Sequence, residues 1–232
     1  GVYCEVISYK NLNKSIIEYK PNALIFSGGP ASVFLRKAPK IKKEIYDNKI
    51  PILGICYGMQ LICEQLRGEV KKTKVREFGK AKIKILKNND LFGKSLRKGS
   101  VSQVWMSHGD EVVKPPKGFE IIAKTSDVNI AAISNRAKKI YGLQFHPEVF
   151  HTVQGKNFLK NFIINISKIK PSWKIENYLE EQVLRIKKTV GKEKVVCGLS
   201  GGVDSSVVAA LINRAVGEKL TCIFVNHGLL RK

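Results

Sequence analysis

Pro51-Ile52-Leu53-Gly54-Ile55-Cys56-Tyr57-Gly58-Met59-Gln60 is an apolar run that meets a glycine, crosses a cysteine and reaches a second glycine where a helical stretch begins. Residues 51–55 read as a buried strand and residues 57–66 as a helix, which puts Cys56 on the tight turn between them. A strand-to-helix elbow needs small flanking residues, here Gly54 and Gly58, and it exposes the nucleophile at its apex. A thiolate at that point meets the unpaired N–H groups of a helix N-terminus, which favour negative charge. On this motif alone, a core cysteine beside two chance glycines explains the sequence equally well.

The flanking segments set the elbow in a larger pattern. Residues 2–7 read as a strand, 15–19 as part of a polar helix, and 23–26 as a buried strand ending in the Gly28-Gly29-Pro30 turn. Residues 38–48 read as a lysine-rich amphipathic helix. This alternation of strand and helix predicts a parallel sheet covered on both faces. From Lys82 the rhythm changes: 83–86, 101–106, 120–123 and 130–134 are strand candidates without long helices between them, so an antiparallel section is expected. Residues 140–144 form a further strand running into His146-Pro147-Glu148, and a helix over 156–166 closes the domain. The expected fold class is α/β, with a mixed, mainly parallel sheet flanked by helices.

Pro171-Ser172 marks a boundary, with Ser172 resembling an N-cap for a helix over 175–189 that Gly191 ends. A strand at 194–199, a glycine loop, a helix at 205–216 and a strand at 220–225 make one βαβ unit. The expected domains are 1–168, a linker and helix over 169–191, and 192–232. One βαβ unit cannot bury both sheet faces, so the second domain is read as incomplete. With no initiator Met, the chain reads as a piece of a longer protein.

Composition narrows the function classes. A chain of 232 residues, 44% hydrophobic and 26% charged, has the make-up of an ordinary globular protein. No apolar run of about 18 residues would span a membrane. Five cysteines without CxxC or Cys/His clustering argue against a disulfide framework or a zinc site and suit a reducing cytoplasm. Four of them (Cys4, Cys63, Cys197 and Cys222) read as small buried hydrophobes. The net charge of +22 invites a nucleic-acid reading. Its lysines are spread over nearly every segment, however, as in Lys40-Ile41-Lys42-Lys43, and look like solvated faces. Neither nucleic acid nor membrane is expected as a partner.

A nucleophilic thiol needs a base, and the base needs a group to orient it. His146 and Glu148 stand two residues apart, so in extended chain they point the same way, and Pro147 biases His146 toward that conformation. Glu148 would hold the imidazole while His146 relays the thiol proton to a leaving amine. His108 is a rival base, disfavoured because His146 has the carboxylate neighbour.

Gly28-Gly29-Pro30, Gly54-Ile55-Cys56-Tyr57-Gly58-Met59-Gln60 and His146-Pro147-Glu148 together resemble the triad (class I) glutamine amidotransferases over the first two-thirds of the chain. The resemblance implies that Cys56 attacks the side-chain amide of glutamine, giving a glutamyl thioester and ammonia. It implies backbone N–H groups of Gly29 and Tyr57 as the oxyanion hole. It assigns Gln60, Ser107, His108, Gly109 and Asp110 to glutamine binding. It also implies that the family's first strand and helix precede Gly1.

Ser200-Gly201-Gly202-Val203-Asp204-Ser205-Ser206 follows a strand and opens a helix, the setting in which backbone N–H groups cradle a phosphate. The hydroxyls of Ser200, Ser205 and Ser206 can add bonds, and Asp204 can engage magnesium. No Gly-Lys-Ser/Thr is present, so this is not a Walker A loop. It is similar to the loop of the N-type ATP pyrophosphatases. An amidotransferase followed by that loop resembles the glutamine-dependent ligases that aminate a purine nucleotide. Val104-Trp105-Met106-Ser107-His108-Gly109-Asp110 and Gly228-Leu229-Leu230-Arg231 carry the same resemblance. It implies ATP with Mg2+, xanthosine monophosphate as the acceptor, GMP, AMP and pyrophosphate as products, and a homodimer formed through a region outside this chain. Asn226 stands where that family commonly has an acidic residue. The alternatives are a tRNA-modifying ATP pyrophosphatase with an unrelated front domain, and a glutamine-binding module without catalysis.

Overall fold

The computed structural model describes residues 1–94 and 96–226, and for residues 73–76 the backbone alone. Two compact units are present, one over residues 4–170 and one formed by residues 171–232 with the first three residues. The larger unit is built on a seven-stranded sheet. Its strands are β1 (Leu24–Phe26), β2 (Ile52–Ile55), β3 (Glu69–Ile85), β4 (Val101–Lys114), β5 (Glu120–Lys124), β6 (Ala132–Asn135) and β7 (Ile140–Leu143). They lie in the order β1-β2-β7-β6-β5-β3-β4. Helix α1 (Leu12–Tyr19) precedes the sheet, α2 (Tyr57–Gln65) follows β2, and α3 (Gly155–Lys160) continues into a π-helical turn over Asn161–Ile166.

The short central strands owe their place to apolarity. All four residues of β2 and all four of β7 are buried, as parallel strands covered on both faces must be. Leu53 and Ile55 point into a core with Tyr141, Leu143, Phe145, Phe158 and Phe162. Ile52 points the other way, toward Ile62, Tyr46 and Ile140. Each such fully buried side chain contributes roughly 1.5–3 kcal/mol. Helix α2 is buried at every residue except Glu64, so it is sandwiched rather than surface-lying.

The mixed α/β class agrees with the sequence reading, but the balance within the sheet differs. Only β1–β2 and β2–β7 are parallel; β7–β6, β6–β5, β5–β3 and β3–β4 are antiparallel. The 17-residue β3 and the 14-residue β4 are the cause. The lysine-rich sequence of β3 conceals one long hairpin with β4, which, last in the strand order, returns to the end of β2, where its Ser107 carbonyl meets Cys56.

Three local expectations fail. Residues 2–7 form no strand, and Val6 is fully exposed. Alternation alone does not make a strand, which exists only in a ladder. Residues 38–48 give a single 3-10 turn, Lys43–Asp47. Pro39 and the closely spaced Lys40, Lys42 and Lys43 oppose a longer helix, while adjacent Ile45 and Tyr46 are both buried. Cys4 and Cys222 are exposed, not core: one lies in an N-terminal segment outside the sheet, the other on a strand with an open face.

The smaller unit holds α4 (Ile175–Val190), β8 (Val195–Leu199), α5 (Val203–Val216) and β9 (Leu220–Phe224), with β8 and β9 parallel. Val196, Val207, Ile223 and Phe224 stay exposed, as the count of layers predicts for one βαβ unit. Gly228-Leu229-Leu230-Arg231 lies outside the described residues.

Candidate active site

Cys56 sits between β2 and α2 with φ 49° and ψ −105°. A non-glycine residue there stores roughly 1–3 kcal/mol of strain. The surroundings fix it: its N–H donates to the Leu143 carbonyl at 2.7 Å, and its own carbonyl accepts the first helical bond from Gln60. The flanking glycines are needed for closeness. A Cβ on Gly54 would meet the Gly58 carbonyl and Ile62 at 2.6 Å, and one on Gly58 would meet the Phe26 carbonyl oxygen at 2.1 Å. The elbow predicted from sequence is therefore formed. Its thiol is not exposed as expected, for Cys56 is only 4% accessible. Gly28, Ser107, Gln144 and His146 close around it.

Three of these neighbours come from distant segments. The thiol donates to the Ser107 carbonyl at 3.5 Å, and the Gln144 amide Nε2 donates to the sulfur at 3.8 Å. A Cβ on Gly28 would lie 2.8 Å from His146 Cε1 and 3.5 Å from Cys56 Cβ, so the Gly28-Gly29 turn abuts both reacting groups. Around a Cβ built on Gly29 there is open space. Tyr57 opens α2, where backbone N–H groups lack intrahelical acceptors. Gly29 follows the glycine that abuts Cys56, and Tyr57 follows Cys56 itself in the chain.

His146 Nδ1 and Glu148 Oε1 are 2.6 Å apart, with the histidine side chain 16% and the glutamate side chain 44% exposed. The chain around them is pinned to β4: the His146 N–H donates to the Trp105 carbonyl, and the Thr152 hydroxyl donates to the His146 carbonyl. The Cys56 sulfur and then Glu148 push the imidazole pKa up to about 10 against the effect of burial. Nε2 is buried without a well-formed hydrogen bond, yet hydrogen bonding with the sulfur is the larger part of what Cys56 adds, and charge the smaller. For Glu148, partial burial is outweighed by the bond to His146 and the imidazolium charge, and its pKa falls below the usual carboxylate range.

His108 also has a carboxylate partner, which sequence reasoning missed. Glu77 faces it across the β3–β4 ladder, with Nε2 and Oε2 3.3 Å apart. The presence of a glutamate therefore does not separate the two histidines; electrostatics does. Burial lowers the His108 pKa, and burial, with Asp127 and Glu111 nearby, raises that of Glu77. Both shifts favour the neutral forms, whereas His146–Glu148 is held charged. An imidazolium beside a sulfur and backed by a carboxylate can exchange a proton with a leaving amine.

The remaining predicted residues fall into two groups. Ser107, His108, Gly109 and Asp110 lie together on β4. Gln60 is 3% exposed and donates to the Asp110 carbonyl at 2.8 Å and to Gln144 Oε1 at 3.5 Å. Gln144, Thr152 and Glu77 were not singled out from sequence. The signal that was available is Gln144 in the apolar run before His146, an uncharged polar residue where a buried strand leaves no water for it.

The serine-rich loop joins β8 to α5 in the smaller unit. Gly201 has φ +78°, as a turn that aims its N–H groups requires. The hydroxyls are occupied within the loop: those of Ser205 and Ser206 donate to the Gly202 carbonyl at 3.0 and 2.9 Å, and Ser200 and Ser205 bond at 3.1 Å. They shape the loop from within. Asp204 lies in the first turn of that helix. Among the described residues no group of three His, Cys, Asp or Glu side chains could hold a metal ion, and no helix is long and apolar enough to cross a membrane.

Comparison with known proteins agrees with this geometry. Residues 1–166 match the family Glutamine amidotransferase class-I, and residues 173–227 match NAD synthase. The chain is 52% identical over its whole length to GMP synthase [glutamine-hydrolyzing] of Finegoldia magna and 50% identical to that of Carboxydothermus hydrogenoformans. In each case it spans 45% of the relative's length. A solved structure of a candidate GMP synthase subunit from Thermoplasma acidophilum is 35% identical, with a TM-score of 0.50 over 60% of this chain and 64% of that one. An unrelated front domain, one of the alternatives open from sequence, is thereby excluded. The chain belongs to the class-I glutamine amidotransferase family.

Proposed function

We propose that this chain supplies the glutaminase and the phosphate loop of a glutamine-hydrolysing GMP synthase. The observation that carries the reading is the assembly of Cys56, His146 and Glu148 around one elbow, followed by a phosphate-type loop on the same chain. In this reading the Cys56 thiolate attacks the side-chain carbonyl carbon of glutamine. The oxyanion receives the Gly29 and Tyr57 N–H groups, and His146 gives its proton to the departing ammonia. Water, deprotonated by the same imidazole, then cleaves the glutamyl thioester to glutamate and restores the thiol. Gln60, Ser107, His108, Gly109 and Asp110 form the glutamine side of the pocket.

The second half-reaction uses ATP to adenylylate xanthosine monophosphate, releasing pyrophosphate; ammonia then displaces AMP and leaves GMP. Residues 200–206 would hold the pyrophosphate portion through α5's N–H groups. Mg2+ would enter with the nucleotide, which provides most of its oxygen ligands, and Asp204 is the carboxylate of the loop that fits it. The domain limits 1–168, 169–191 and 192–232, a cytoplasmic location and a homodimer belong to the same proposal. They rest on the resemblance to purine-aminating ligases.

The test is a polypeptide that joins this chain to the remaining length of its relatives. Cys56→Ser is expected to abolish glutamine-dependent GMP formation and spare the ammonia-dependent reaction. Equal collapse of both would overturn the division of labour, and a wild-type site that binds glutamine without turning it over would identify a binding module.

A further inference from the structure

We infer that Gln144 is a catalytic residue: its side-chain amide donates an N–H to the Cys56 sulfur and steadies it as a thiolate aimed for attack. The inference rests on Cys56 being the nucleophile and adds a donor to it. Gln144 is fully buried, and its Nε2 lies 3.8 Å from Sγ, within reach of a sulfur acceptor.

The orientation of that amide is fixed by a relay, not chosen freely. Gln60 Nε2 lies 2.8 Å from the Asp110 carbonyl, which only accepts, so that atom must be the nitrogen. Its second N–H points at Gln144, 3.5 Å away, so the Gln144 atom there must be the oxygen. The nitrogen of Gln144 is then left facing the sulfur. Three groups from α2, β4 and the end of β7 thus deliver one hydrogen-bond donor to the reacting atom.

Beside His146, the sulfur has two polar contacts of opposite preference. The Ser107 carbonyl at 3.5 Å accepts from S–H and repels a thiolate; the Gln144 amide favours the thiolate, as a donor to a charged acceptor does. When the proton passes from Sγ to His146, the bond to Ser107 is lost and the one from Gln144 strengthens. The titratable groups facing the thiol are His146, with Glu148 behind it, and His108, with Glu77 behind it, next to Ser107 on β4. Helix α2 adds no acidic residue in its first turn.

The experiment follows alkylation of Cys56 by iodoacetamide across pH in the whole chain, read by peptide mass spectrometry. Exposed Cys4 and Cys222 are scored separately. Gln144→Met keeps length and burial but removes the donor. Its Cys56 profile is expected to move about one unit to higher pH, slowing alkylation about tenfold below the wild-type midpoint. A folded Gln144→Met chain with a superimposed profile overturns the inference. If that variant does not fold, the wild-type Gln144 side-chain amide decides by NMR. Its proton signal should shift as Cys56 ionises and stop responding in Cys56→Ser, and a signal blind to that ionisation overturns the inference. Alkylation needs no glutamine turnover. A wild-type Cys56 inert at every pH therefore counts against the functional reading, whereas an unchanged Gln144→Met profile counts against Gln144 alone.

Discussion

Replacing Glu148 with glutamine tests the electrostatic core of the site. The variant keeps the shape of the side chain and an oxygen that still accepts from His146 Nδ1, so what is lost is the carboxylate charge. A hydrogen bond between charged partners contributes about 1.5–3 kcal/mol. The bond here is short, 2.6 Å, but Glu148 is 44% exposed, and solvent screening places the effect in the lower half of that range, about 1.5–2 kcal/mol. At 1.4 kcal/mol per tenfold, the expected loss in kcat is about 10–30-fold. The assay is glutamate release at saturating glutamine near neutral pH, with circular dichroism to confirm folding. The His146 imidazolium forms in both halves of thioester chemistry, so KM should change little. A kcat within about twofold of wild type would refute the claim that Glu148 stabilises the charged ring.

Further outcomes follow from the same geometry. The His146 pKa is raised from 6.5 to about 10. The contribution of the charged His146 to stability is therefore complete below pH 6.5 and lost as pH rises through about 10, while that of Glu148, whose pKa is lowered, is lost in acid. Cys56→Ser removes the largest support, and NMR titration should show the His146 midpoint falling. Gly28→Ala puts a methyl 2.8 Å from His146 Cε1; the ring, tied to Glu148, must tilt, and kcat should drop about 100-fold with thermal melting nearly unchanged. Gly58→Ala collides with backbone at Phe26 and should destabilise the fold by about 1–3 kcal/mol or more, measured by urea unfolding. Glu77→Gln should leave the pH profile of Cys56 alkylation close to wild type, because Glu77 is bonded to His108 and not to the sulfur.

The legible parts of this chain were those whose chemistry is local. Gly54 and Gly58 flank the cysteine, and His146 and Glu148 stand two residues apart, so both halves of the site could be read from short segments. The strands of the sheet centre were equally plain, because β2 and β7 are short apolar runs. What sequence did not reveal depends on pairing. Glu77 looks like a solvated residue, and His108 like a histidine without a carboxylate, until the β3–β4 ladder sets them opposite each other. Ser107 reaches Cys56 from 51 residues away. Gln144 carries no charge and belongs to no metal or acid–base pattern, and its one sequence signal is an uncharged polar residue in the apolar run before His146. The segment over 2–7 failed for the converse reason: it has the alternation of a strand, but pairing decides whether alternation becomes one.

The most direct measurement exposes the chain to a diazoketone analogue of glutamine and maps the adduct by peptide mass spectrometry. The account predicts a single covalent adduct on the Cys56 sulfur, slowed by competing glutamine and absent after His146→Ala. Adducts confined to exposed Cys4 and Cys222, or labelling of Cys56 indifferent to glutamine, would contradict it.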